Sequence, residues 1–342
     1  VIGVPPRRPT QRDIAERAGV STATVSYVLS GRRGGAKPPP PETRERVLRA
    51  VAETGYQLDQ AGRSLRRQRT DVVALMYPAP SSPWSDRLAE ELQVAAADRG
   101  FAVVALPVIT GASTAAILRI LRQRYIDGAV LLHDCPLDGA ELGALATQGC
   151  SLVVFDDDLE PDGFDVVRQD RATACRAAIE RLIAAGHRRV AFLGHADEHD
   201  GALADVKLRS YRDGLAAHGI AEDPELVCAV ADSRSDAYAA VRDLLRRPEP
   251  PTALISATDR AAIDGIWAAR DLGVSVPDQL AVIGIGNIPE GLTISPALTT
   301  VGAAALDFSR EVARLFARLD AEAPLPGAEL SAPWELIVRA SG

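Results

Sequence analysis

No apolar run in this 342-residue chain is long enough to span a bilayer. The stretch from Val1 to Pro9 is too polar and too proline-rich for a secretory leader, so the chain is expected to stay in the cytoplasm, with no membrane partner. Cysteine is scarce. Cys135, Cys150, Cys175 and Cys228 are spaced widely and irregularly, with no C-x-x-C pair. Each sits in or beside an apolar segment, so buried free thiols are expected rather than a disulfide or metal site. A nucleophile–base pair, a complete phosphate loop and a metal-ligand cluster are all missing too. "GIGNIPEG" (Gly284 to Gly291) follows a strand-like run, but Pro289 interrupts the expected helix start and no full G-x-G-x-x-G is present. "HADEHDGALAD" sets His195 and His199 near carboxylates, and a solvated loop is the expected state there rather than a metal site. An enzyme is therefore not expected, nor any cofactor or metal.

What the chain does have is an uneven charge. Residues 1–70 hold fourteen Lys and Arg against six Asp and Glu, a balance of +8. The remaining residues hold 24 basic and 40 acidic side chains, a balance of −16. A basic head on an acidic body points to a polyanion partner for the head alone, although a merely solvated basic face would look the same.

Residues 10–57 read as short helices. Thr10 is placed to cap the first, from about Gln11 to Ala18, and Gly19 to stop it. Ser21 caps a second helix through about Leu29. A third runs from about Glu42 to Glu53 and stops at Gly55, with Val47, Leu48, Val51 and Ala52 expected on its apolar face. From Asp71 the texture changes. Runs such as "VVALMY", "FAVVAL", "SLVVFD", "RVAFLG", "TALISA" and "LAVIGI" alternate with amphipathic helical stretches. Such alternation implies parallel sheets covered by helices, and its length favours two doubly wound lobes over one sheet.

The segment "TQRDIAERAGVSTATVSYVLSG" is the most specific signal. Ile14, Ala15, Ala18, Val20, Val25 and Val28 can close a small core, and Gly19 makes the tight turn. The second helix then presents Thr22, Ala23, Ser26 and Tyr27 near its N-terminus, where a helix in the major groove meets base edges. Ser21, at that N-terminus, suits a phosphate contact. The bland alternative is an ordinary αα-hairpin.

At these residues the chain resembles the LacI/GalR family of bacterial repressors. The resemblance runs through "DIAERAGVSTATVSYVLSG", "ETRERVLRAVAETGY", "GRSLR", "GHRRVAFLG", "SYRDGL", "LGVSVPDQLAVIG" and "SPALTTV". It implies a small all-α helix-turn-helix head over residues 1–57 and a hinge helix over 58–70. It also implies an α/β two-lobed sensor over 71–342 with parallel sheets and the periplasmic-binding-protein fold. The first lobe is expected over about 71–168 plus 299–328, and the second over about 169–298 plus 329–342.

By resemblance, Thr22, Ala23 and Tyr27 read bases, with Thr10, Ser21, Ser26 and Arg63 as further DNA contacts. Ala23 offers a methyl suited to thymine. Tyr27 can stack or donate one hydrogen bond, but it cannot make the bidentate guanine contact. Leu65 falls where the family's hinge residue wedges into the minor groove; without the resemblance it would be a packing residue. The hinge departs from the family pattern at Leu58, Asp59 and Gly62, and Gly62 lowers helix propensity by roughly 1 kcal/mol relative to Ala. The loop around residues 32–41 looks longer than usual. It either reaches a phosphate through Arg32, Arg33 or Lys37 or is an insertion.

The same resemblance places effector-binding positions at Trp84, Asp156, Lys207, Asp232, Thr258, Asp259 and Gly286. Trp84 stands where an aromatic lines the cleft, as a stacking platform or a core residue. Lys207 replaces a sugar-gripping Arg, and a point charge cannot form that fork. Thr258 replaces Asn, Gly286 replaces Asp, and Asp232 stands where an aromatic often stacks. These departures argue against a simple neutral sugar. The implied partners are a pseudo-palindromic double-stranded DNA operator, a small-molecule effector and a second copy of the chain. No heptad extension follows Gly342, so a dimer is expected rather than a tetramer. The other reading kept open is a solute-binding module of a transport system, which the basic head opposes.

Overall fold

The structure is a computed structural model that describes residues 9–30, 38–56, 69–78, 81–108, 114–132, 137–195, 206–231 and 233–342. The chain divides into two compact units, Val1–Thr70 and Asp71–Gly342.

The head is built on helices α1 (Gln11–Ala18), α2 (Thr22–Ser30) and α3 (Pro41–Thr54). Thr10 caps α1 through a reciprocal pair: its Oγ1 accepts from Asp13 N at 3.4 Å, and its own N–H donates to the Asp13 carboxylate at 2.7 Å. Gly19 closes α1 with φ of +64°, a conformation that would strain a side chain. Ser21 Oγ accepts from Thr24 N at 3.1 Å and so caps α2. Ile14, Ala15, Ala18, Val25, Val47, Ala50 and Tyr56 form the buried core, with Val20, Val28, Leu29 and Val51 partly covered around it. The face of α3 differs from the sequence expectation. Leu48 is 45% exposed and Ala52 is exposed, while Ala50 is buried. Positions 47, 50, 51 and 54 share the inward stripe by helical geometry; 48 and 52 lie off it.

In the body, parallel strands alternate with helices. The first sheet joins β1 (Val72–Pro78), β2 (Ala102–Val108), β3 (Gly128–Leu131), β4 (Ser151–Phe155), β5 (Asp165–Arg168) and β11 (Glu329–Ser331), in the order β11-β5-β4-β3-β1-β2. Helices α4 (Pro83–Ala97), α5 (Thr114–Arg122) and α6 (Gly139–Thr147) connect its strands. Period-two alternation sends Val73 and Leu75 of β1 to one apolar layer and Ala74 and Met76 to the other. Both faces are therefore covered, as parallel sheets require.

The second lobe begins with α7 (Arg171–Ala184), followed by β6 (Val190–Gly194), α8 (Val206–Ala217), β7 (Val227–Ala229), α9 (Arg234–Leu245), β8 (Ala253–Ser256), α10 (Asp259–Asp271) and β9 (Ala281–Ile285). It continues through the short α11 (Glu290–Thr293), β10 (Thr299–Ala303) and β12 (Trp334–Ile337). Its strand order is β12-β10-β9-β8-β6-β7, with β12 antiparallel to β10. Between β10 and β11 runs α12 (Ser309–Asp320), whose Val312, Leu315, Phe316 and Leu319 enter the core of the first lobe.

The lobe boundaries need correction. The sequence reading put 299–328 in the first lobe and 329–342 in the second. Instead β10 pairs with β9 in the second sheet, and β11 pairs with β5 in the first. The chain thus crosses after β5, after β10 and after β11. Apolar alternation in "SPALTTV" marks a strand but carries no information about which sheet it joins. Asp165 fastens α12 to the first sheet. It is fully buried and accepts from Arg314 Nε at 2.7 Å, Arg318 Nη1 at 2.8 Å and Ala328 N at 2.9 Å.

Candidate functional site

The head presents one coherent face. Thr22 and Ala23 are exposed, and Ser26 and Tyr27 half-buried, on the side of α2 where its first turns meet solvent. Val25, between them, is fully buried and fixes the rotation of the helix. Beside that face lies a groove of about 470 Å³ between α2 and the start of α3. Ala23, Thr24 and Tyr27 line one wall; Pro40, Thr43 and Arg46 line the other. Thr10 and Ser21 are exposed at the two helix starts, with their hydroxyls engaged in the caps. The sequence reading missed Thr43 and Arg46. Their spacing of three places them on one face of α3, which would have flagged them. Arg63 and Leu65 lie outside the described residues.

In the body, the effector positions separate into different environments. Thr258 caps α10: its Oγ1 accepts from Ala261 N at 3.2 Å and donates to Ala231 O at 3.3 Å. Asp259, the next residue, is 1% exposed. Its Oδ2 accepts from Ile288 N at 2.8 Å and its Oδ1 from the Thr300 hydroxyl at 2.6 Å. The sequence reading set Asp259 among effector ligands. Both of its oxygens are committed inside the second lobe, where it clamps the start of α10. Burial pushes its carboxyl up to about 6, against the opposing pull of those two donors and of Arg339.

Gly286 follows β9 with φ of +137°, and its N–H donates to Val301 O at 2.7 Å. Glycine there answers a backbone requirement. Lys207 is half-buried, the second residue of α8. Asp156 follows β4, and its Oδ1 accepts from Asp158 N and Leu159 N, both at 2.7 Å, so it shapes its own turn. Trp84 is 8% exposed. Phe155 and Phe308 meet its ring edge-on, with centroids at 5.0 and 4.7 Å, and it packs in the core of the first lobe. Asp232 lies outside the described residues.

Two further residues connect the lobes and were not found in the sequence. Arg260 Nη1, in the first turn of α10, donates to Ser81 O at 3.3 Å. Ser81 directly precedes the Ser82 cap of α4, so this bond brings the Thr258 end of the second lobe against the Trp84 end of the first. Asp157 holds the crossing from β5 to α7. It accepts from Gln169 N at 2.6 Å, Asp170 N at 2.9 Å and both Arg171 N and Arg171 Nε at 3.2 Å. Burial works to raise its carboxyl, but the backbone donors and the Arg171 guanidinium hold it below the usual range. No signal within "FDDDLE" separates the turn-forming Asp156 from the crossing-holding Asp157.

A helix-turn-helix head with an exposed α2 face, joined in sequence to a two-lobed α/β body with parallel sheets, defines the class of regulators that couple a DNA-binding head to a sensor. Comparison with known proteins narrows that class. Residues 10–59 match the model described as bacterial regulatory proteins, lacI family, and residues 179–342 match the periplasmic binding protein-like domain. The chain is 31% identical over 347 residues to the HTH-type transcriptional regulator CelR of Thermobifida fusca, covering 98% of this chain and 99% of that one. It is 27% identical to the HTH-type transcriptional repressor CytR of Escherichia coli, over 88% of this chain and 87% of that one. Among solved structures it is similar to a CelR–cellobiose complex, with a TM-score of 0.63 and 29% identity over 98% of this chain and all of that one. It shares the fold of a lac repressor dimer bound to operator, with a TM-score of 0.70 and 21% identity over 98% of this chain and 99% of that one. The chain belongs to the LacI family of bacterial transcriptional regulators. Among the described residues no helix is long and apolar enough to cross a membrane.

Proposed function

We propose that this chain is a homodimeric, sequence-specific repressor whose hold on its operator is set by a small molecule bound between the two sensor lobes. The observation that carries the reading is the α2 face. Thr22, Ala23, Ser26 and Tyr27 stand together on a helix held in place by its own buried core, in a head whose sequence carries a charge of +8. Such a helix can enter the major groove while the surrounding charge draws the head to phosphate. One helix of this length reads few bases. Pairing two copies on a pseudo-palindromic site supplies the rest; the lac repressor structure that shares this fold is a dimer bound to operator.

The lobes supply the control. Arg260 and Asp157 tie them together near the cleft and at the first crossing, so a ligand that prefers one arrangement of the lobes biases the whole body. The neighbouring CelR structure holds cellobiose. In this chain Thr258 is engaged in capping and Gly286 has no side chain, which supports an effector other than a simple neutral sugar. Arg260 and Lys207 favour an anionic group.

The test is a gel shift of the full chain on duplexes selected from a random pool, against scrambled duplex. Enrichment of a two-fold-symmetric sequence, bound as a dimer, is expected. Selection that returns no sequence preference would remove the reading.

A further inference from the structure

We propose that Arg46 grips a backbone phosphate of the DNA strand that α2 reads, so that the groove between α2 and α3 is the seat of that strand's backbone. This rests on the DNA-binding reading above.

The groove continues the base-facing side of α2, because Ala23 and Tyr27, one turn apart, line both. Its opposite wall is Pro40, Thr43 and Arg46. No carboxylate occurs among the described residues that line it. Arg46 is exposed, and among the described residues it has neither a hydrogen bond nor an ion pair. Other arginines of the head are engaged: Arg12 with Glu16 at 3.0 Å and Arg17 with Glu53 at 2.7 Å. The backbone that carries Arg46 is nevertheless fixed, since the next residue, Val47, is fully buried.

An exposed guanidinium on a rigid helix, over a groove with hydroxyls at Thr43 and Tyr27, matches the fork geometry and charge of a phosphate diester. It stands on a different helix from the residues that face the bases, which favours backbone over base. Phosphate contacts set register and affinity, and base contacts set sequence, so the two roles are separable by measurement.

The experiment measures affinity of the full chain against salt concentration, on a selected operator duplex and on its scrambled counterpart. It uses wild type, Arg46→Gln, Arg46→Lys and Arg44→Gln. Arg44 is exposed on α3 and does not line the groove. Each lost phosphate contact lowers the slope of log K against log salt by about 0.9, so a dimer of Arg46→Gln should lose roughly two units of slope. Affinity should fall by the same factor on both duplexes. Arg46→Lys should keep the wild-type slope, and Arg44→Gln should leave it unchanged. Unfolding is checked by helical circular dichroism of each variant, and the retained slope of Arg46→Lys keeps the result interpretable if Arg46→Gln unfolds. An unchanged slope in folded Arg46→Gln overturns the proposal. Loss confined to the selected duplex also overturns it and makes Arg46 a base reader. Wild type that binds neither duplex overturns the DNA-binding reading itself.

Discussion

Thr300 donates its hydroxyl to Asp259 Oδ1 at 2.6 Å, joining the first residue of α10 to the buried strand β10. Asp259 ionises with difficulty because it is buried, and its carboxyl is pushed up to about 6. The folded value lies above the unfolded one. The resulting stability is therefore complete below about pH 4 and is lost as pH rises through about 6. Asp259→Asn should remove that dependence. The wild-type minus variant difference in urea unfolding free energy of the body should then fall by roughly 1–3 kcal/mol between pH 4.5 and 7.5. A flat difference would show that Asp259 titrates normally.

Gly284 and Gly286 should respond differently to alanine. A Cβ at Gly284 would sit 2.1 Å from Asp259 Oδ1 and 2.9 Å from Leu298 Cδ2, so the clamp must break. A Cβ at Gly286 meets nothing closer than 3.5 Å, and the cost there is the φ of +137° alone. Thermal unfolding should show Gly284→Ala destabilised by roughly 3 kcal/mol or more. Gly286→Ala should lose less, about 1–3 kcal/mol. The reverse order would contradict the described packing.

Asp157 gathers its donors at the crossing between the lobes. Asp157→Ala leaves the Gln169, Asp170 and Arg171 groups without their acceptor and should cost roughly 2–4 kcal/mol. Its carboxyl is held below the usual range, so its contribution is present at neutral pH and is lost as pH falls through the folded value. Urea unfolding at pH 7 and pH 3 checks both points. A variant equally weakened relative to wild type at both values would exclude the electrostatic part.

Tyr27→Ala should weaken the selected operator about ten- to a hundredfold while largely sparing scrambled duplex, because a lost base contact costs specificity rather than bulk affinity. Competition gel shifts measure the ratio. An equal loss on both duplexes would remove Tyr27 from base reading.

The helices and strands were legible because their local chemistry is self-contained. Thr10, Gly19, Ser21 and Gly55 mark caps and stops that depend on neighbours within a few residues. The sheet membership of Thr299–Ala303 was not legible, since it is decided by pairing with Ile283–Ile285 far away in sequence. The environments of the body's effector positions depend on distant pairing in the same way. Asp259 looks like any carboxylate after a strand until Ile288 and Thr300 are folded onto it. Arg260 becomes a link between lobes only when Ser81 is brought near. On the head, exposure of α2 follows directly from burial of Val25 and Ile14, and that spacing is written in the sequence.

The effector can be tested against the replaced positions. A site that grips a neutral sugar pairs ring hydroxyls with planar or charged side chains. Here Thr258 Oγ1 is already engaged with Ala261 N and Ala231 O, Gly286 offers no side chain, and Lys207 carries a point charge in place of a fork. Each missing partner costs on the order of 1–3 kcal/mol, and losses at these positions together lower affinity by several orders of magnitude if they add. Trp84 is edge-packed by Phe155 and Phe308, so it presents little face for stacking in this arrangement. On the proposed reading, the positive charge of Lys207 and Arg260 favours a small anionic metabolite. Cellobiose is the first sugar to try, because the related CelR structure holds it. Isothermal titration and operator release should show no neutral mono- or disaccharide binding at micromolar concentration, and the strongest response from an anionic compound. Arg260→Gln should weaken that compound at least tenfold. Micromolar cellobiose binding accompanied by operator release would overturn the expectation and return the chain to the sugar binders.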